Sequence, residues 1–123
     1  MPKFNAAQPV AQAIAPGDTI LLFNAEAVAS NQYSIVAAIA DSGPMASNNR
    51  TFQINWALAP TANVLIYGSN TSPTASGPQN GQLLYTLNTQ SASQTDNSAF
   101  AFYWAQVTAY SAGGNLTVSL HVG

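Results

Sequence analysis

A chain of 123 residues is one domain of common size and long enough to bury a core of its own. It has no cysteine, so it has neither a disulfide nor a thiolate metal site. Only Lys3, Arg50, Asp18, Glu26, Asp41 and Asp96 are formally charged, 5% of the chain against the usual share of about a quarter, and two basic residues cannot build a phosphate-binding track, so no nucleic-acid partner is expected.

Residues 1–17 read as an extended N-terminal arm. Pro2, Pro9 and Pro16 disfavour a continuous helix, and Phe4, Val10 and Ile14 are its candidate contact residues, laid along the domain or on a neighbouring subunit. No clean apolar core of a signal peptide is present, and the apolar runs are far short of a membrane span. The segment 18–123 is then one domain. Pro16-Gly17-Asp18 marks a turn, with Asp18 placed to orient it. Thr19 to Phe23 follows as a strand, with Leu21 and Phe23 expected on one face and Ile20 and Leu22 on the other. Asn24 to Ser30 fits either a short strand or a helical turn. Gln32 to Ala40 reads as one strand, and Thr51 to Leu58 as another, with Phe52, Ile54, Trp56 and Leu58 inward. Pro60 ends it, and Asn63 to Tyr67 is short and nearly all apolar, as expected of a central strand. Ser69 to Gly81 and Thr89 to Ser98 are polar and aperiodic, hence loops, with the strand Gln82 to Thr89 between them carrying Leu83, Tyr85 and Leu87 on one face.

The chain closes on FAFYWAQVTAYSAGGNLTVSLHV, read as a hairpin turning at Ser111-Ala112-Gly113-Gly114. Leu116, Val118, Leu120 and Val122 alternate with Thr117, Ser119 and His121, the period of a half-buried strand. In the preceding strand Tyr103, Ala105, Val107 and Ala109 share one face, and Phe102, Trp104, Gln106, Thr108 and Tyr110 the other. The expected fold is all-β, an antiparallel sandwich of about seven or eight strands, immunoglobulin-like or jelly roll, preceded by the arm.

Chemistry is poorly supplied. His121 is the only histidine, and no neighbour in sequence makes it an acid–base pair. One His without Cys does not hold zinc. Asp41 and Asp96 fall in expected loops and could meet around calcium, but their spacing matches no calcium loop. No nucleophile elbow or nucleotide cradle is visible. No enzyme activity, metal or cofactor is therefore expected. Asn49-Arg50-Thr51, Asn70-Thr71-Ser72 and Asn115-Leu116-Thr117 match the glycosylation acceptor pattern, as chance allows in a chain with 43 Asn, Gln, Ser and Thr. If the Tyr103 row faces the core, Phe102, Trp104 and Tyr110 form an outward aromatic strip, a candidate subunit interface or sugar-stacking platform.

From Thr51 onward the chain resembles small structural proteins of tailed-phage virions: a strand ending in Ala-Pro (TFQINWALAP), a short apolar strand (NVLIYGS), a polar loop and the closing aromatic, Gly-turn, alternating unit. The resemblance is one of pattern over about the last 70 residues. It implies a β-sandwich decoration or cement protein on the capsid surface, a homo-oligomer, dimer or trimer, whose partner is the major capsid protein or another virion protein. A tail or fibre component and a carbohydrate-binding module using the exposed aromatics, with a glycan as partner, are the alternatives.

Overall fold

Ten strands and no helix make up the described residues, 11–39, 49–71 and 81–123, of the computed structural model. They are β1 (Ala11–Ile14), β2 (Thr19–Ala27), β3 (Gln32–Tyr33), β4 (Val36–Ile39), β5 (Arg50–Trp56), β6 (Thr61–Ser69), β7 (Gln82–Leu87), β8 (Ser91–Asp96), β9 (Phe102–Ala112) and β10 (Asn115–Val122). Two sheets form. One runs β1-β4-β9-β6-β7, with β3 also on β9; the other runs β2-β10-β5-β8. The all-β sandwich expected from the alternation is the observed architecture.

The core lies between the sheets. From one side come Phe52, Ile54 and Trp56 of β5 and Leu116, Val118, Leu120 and Val122 of β10; from the other come Val64 and Ile66 of β6 and Tyr103, Ala105 and Val107 of β9. These are the period-two rows of four strands, so each buries one row because a pleated strand sends alternate side chains to opposite faces. Phe52 and Tyr103 meet across the gap with ring centroids 5.4 Å apart.

Several elements differ from the linear reading, each for an identifiable reason. The described residues form ten strands, and the β1–β4 pairing is parallel. Residues 11–14 of the extended N-terminal segment lie along the domain as a strand of the sheet, and Ile14, 4% exposed, joins the core. Phe4 and Val10 lie outside the described residues. The stretch 32–40 divides into β3 and β4 because Ser34 bonds the backbone of β9: its hydroxyl accepts from Ala105 N–H at 2.8 Å and donates to the Ile35 carbonyl at 2.7 Å. In β2 the register against β10 slips, Val118 pairing Phe23 while Ser119 pairs Leu21. The extra residue turns Leu22 and Phe23 inward together and leaves Leu21 exposed. A like slip between β6 and β7 leaves Leu83 exposed and brings Leu84 beside Gly68. Ser91 to Asp96, read as part of a loop, is the edge strand β8.

The closing unit is not a hairpin. β9 and β10 lie in different sheets, and Gly113-Gly114 carries the chain from one to the other. Both glycines have positive φ, 147° and 72°, and a side chain on Gly113 would collide with Trp56. The corner is tied down by Leu58 N–H donating to the Gly113 carbonyl and Ala57 N–H to that of Asn115, both at 2.9 Å. Trp56 fills this corner.

Candidate interaction surface

The outward face of β2-β10-β5-β8 is a broad surface open to solvent. The pleat sends Thr117, Ser119 and His121 of β10, Thr51, Gln53 and Asn55 of β5, and Ser91, Ser93 and Thr95 of β8 to this side. The register aligns them in rows across the sheet. Ser91, Asn55 and Thr117 form one row; Ser93, Gln53, Ser119 and Leu21 the next; Thr95, Thr51, His121 and Thr19 the third. The outer rows are internally bonded. Ser91 Oγ donates to Asn55 Oδ1 at 3.1 Å, Thr51 and Thr95 hydroxyls lie 3.3 Å apart, and Thr19 Oγ1 lies 2.8 Å from His121 Nδ1. The middle row has no such bonds among the described residues. Gln53 and Ser119 belong to both of two adjoining shallow clefts of about 440 and 370 Å³. Every hydrogen-bonding side chain in these clefts is an amide, a hydroxyl or the His121 imidazole; none is a carboxylate, Lys or Arg.

A second polar cluster closes one end of the sandwich from inside. Asp96, 4% exposed at the end of β8, accepts from Tyr103 OH at 2.7 Å, from Ser98 N–H at 3.2 Å and Oγ at 3.0 Å, and from Tyr85 OH at 3.4 Å. Tyr103 belongs to the opposite sheet, so its bond joins the two layers; its hydroxyl also accepts from Phe100 N–H at 3.0 Å. Burial first, and then the bond to Asp96, push the Tyr103 hydroxyl well above the ordinary tyrosine range. Burial, then the Asp96 charge, raise Tyr85 as well. Arg50 stands opposite Asp96 in the β5–β8 register and is itself buried. A carboxylate so fully engaged is a structural acceptor that holds the layers together. Asp41, the other loop carboxylate weighed in the sequence, lies outside the described residues.

The aromatic strip expected along β9 does not form. Trp104 points away from the inter-sheet core, yet it is completely buried. The Tyr67 ring stacks on it at 5.9 Å and 14°, and a side chain on Gly81 would strike its six-membered ring. With no exposed face it cannot stack a sugar, and its Nε1 is a buried donor without a partner among the described residues. Phe102 is half-buried. Tyr110 is on the other side altogether: at Ala109 the backbone takes φ 53° and β9 bulges against β6, so the ring turns to stack on Trp56 at 5.7 Å. His121 is exposed with Thr19 as its partner, and Asp18 orients its turn, its Oδ2 accepting from Ala15 N–H at 3.4 Å. The residues missed in the sequence are Ser91, Ser93 and Thr95. Their period of two was present, but small polar side chains gave it no apolar row.

Among the described residues no group of three or more His, Asp and Glu side chains could hold a metal ion, and no helix is long and apolar enough to cross a membrane. No family model, characterised protein or solved structure matches the chain.

Proposed function

We propose that this chain is a non-enzymatic structural protein of a virion, a capsid decoration or cement protein that self-associates and stabilises a tailed-phage head. The observation that carries the reading is the outward face of β2-β10-β5-β8: broad, shallow and lined by neutral hydrogen-bonding side chains. Interface cores are depleted in charged residues, because each charge must be desolvated on docking. A surface of amides and hydroxyls is wetted when free and costs little to cover. The unbonded middle row of Ser93, Gln53 and Ser119 offers donors and acceptors to a partner without breaking bonds inside the chain. A ligand that binds only the assembled shell stabilises it by mass action.

The test is co-sedimentation with empty tailed-phage heads stripped of decoration protein, followed by thermal melting of the heads. The protein is expected to pellet with heads and raise their melting temperature, and Gln53→Arg is expected to weaken both. Pelleting with tails instead would move the protein to a tail or fibre. Recovery in the supernatant with both would end the virion reading.

A further inference from the structure

Among the described residues the strands that end the two sheets are β1, β7, β2 and β8, and they are not equally protected. A free edge exposes a row of backbone donors and acceptors, and soluble proteins blunt it with charge, proline, bulges or brevity. One side of the sandwich is formed by β1 and β2. There β1 has only four residues, β2 carries Glu26, two register slips and a positive φ of 48° at Ala25, and the connecting turn carries Asp18. The other side is formed by β7 and β8. No residue from Thr51 to Thr95 is formally charged, and Asp96 at the end of β8 is turned inward. Of the two, β8 is a row of small polar residues. β7, Gln-Leu-Leu-Tyr-Thr-Leu, has strong strand formers, no charge, no proline and no glycine, the composition of a segment that recruits another strand. Among the described residues it is paired on one side only, by β6, and Leu83 is 49% exposed on it.

We propose that β7 is the pairing edge for a second copy of this chain, joining two six-stranded sheets antiparallel across a two-fold axis. Two features select a copy of itself as the occupant. In a two-fold contact one patch meets a copy of itself, so an edge whose charges are all of one sign repels itself and a neutral one does not. Two β1/β2 sides would instead bring Asp18 and Glu26 of both copies together. The exposure pattern of β7 is also close to self-complementary. With Leu83 opposite Thr86 of the second copy, exposed meets exposed, and Leu84 opposite Tyr85 matches half-buried to half-buried. This rests on the self-associating part of the preceding reading and not on its virion part, so mass in solution tests the one and head binding the other.

The experiment is light scattering of the purified full chain across a concentration series, with Leu83→Lys and, as an exposed apolar control away from the edge, Leu58→Lys. The wild type and Leu58→Lys are expected to have twice the chain mass, and Leu83→Lys the mass of one chain with an unchanged circular dichroism spectrum. In the cysteine-free background the double variant Leu83→Cys/Thr86→Cys is expected to oxidise to a covalent dimer. Directly opposed positions lie about 4.5–5.5 Å apart, within disulfide reach, whereas the same two positions within one strand are about 10 Å apart. A wild-type monomer at every concentration, a trimer, or a dimer that Leu83→Lys leaves intact would overturn the proposal.

Discussion

Strands β9 and β10 are consecutive, each sits inside its sheet, and each alternates, yet they are buried differently. β10 hides Leu116, Val118, Leu120 and Val122 and presents Thr117, Ser119 and His121 to the outside. β9 is buried on both faces from Tyr103 to Val107, with Trp104 and Gln106 covered on the side away from the core. Tyr67 supplies part of the cover, stacking on Trp104 and donating its hydroxyl to Gln106 Oε1 at 3.2 Å. Alternation therefore reports that a strand has two chemically different faces. It does not report whether the second face is wet. On β10 that face is the candidate docking surface; on β9 it is a second, smaller interior.

That contrast can be broken first at Trp104. Replacing a buried aromatic with Ala typically costs about 3–5 kcal/mol. Trp104→Ala is therefore expected to lower stability by that order in urea denaturation, as an inward residue would. A loss below about 1 kcal/mol would mean that the second interior of β9 contributes little. The next effect in size is at the bond between layers. Tyr103→Phe removes a hydrogen bond to a charged acceptor, worth about 1.5–3 kcal/mol. It also changes the response to alkali. The folded Tyr103 hydroxyl holds its proton more tightly than the unfolded one, so its contribution is complete below about pH 10 and is lost as pH rises through the higher folded value. The wild type should lose stability above about pH 10 more steeply than Tyr103→Phe, with Tyr85 and Tyr67, both also raised by burial, leaving a residual slope in both. Parallel pH profiles would remove Tyr103 from that role. The smallest effect is expected on the open face of β10, where Ser119→Ala should change stability by no more than about 0.5 kcal/mol. A larger loss would show that face to be structural rather than free for a partner.

Much of the core was legible in order along the chain. Phe52, Ile54 and Trp56, and the Leu116 to Val122 row, were read from period two and are buried as read, because an apolar residue in each second position leaves only one way to turn the strand, whereas Leu58, read into the same row, lies past the end of β5 and is exposed. The candidate surface was legible only in part. Thr117, Ser119 and His121 followed from the same row, but their neighbours Gln53 and Ser93 depend on which strands flank β10. Where residues are added, one at Leu22 and two between Thr108 and Ala112, the alternation is interrupted and the linear reading assigns the wrong face. The aromatic strip failed for this reason at Tyr110, and at Trp104 because the cover comes from residues distant in sequence.

By itself the sequence determined an all-β chain with a neutral, cysteine-free surface and the identity of its main inward rows, since these follow from side-chain chemistry and the two-residue repeat of a strand. Only the tertiary structure decided that β9 and β10 part at Gly113-Gly114 into different sheets, that Asp96 meets Tyr103 across the layers, and that β7 is left at an edge. Those are pairings between segments far apart in the chain. Such pairings are chosen by the joint fit of all strands, and no local stretch of residues contains that information.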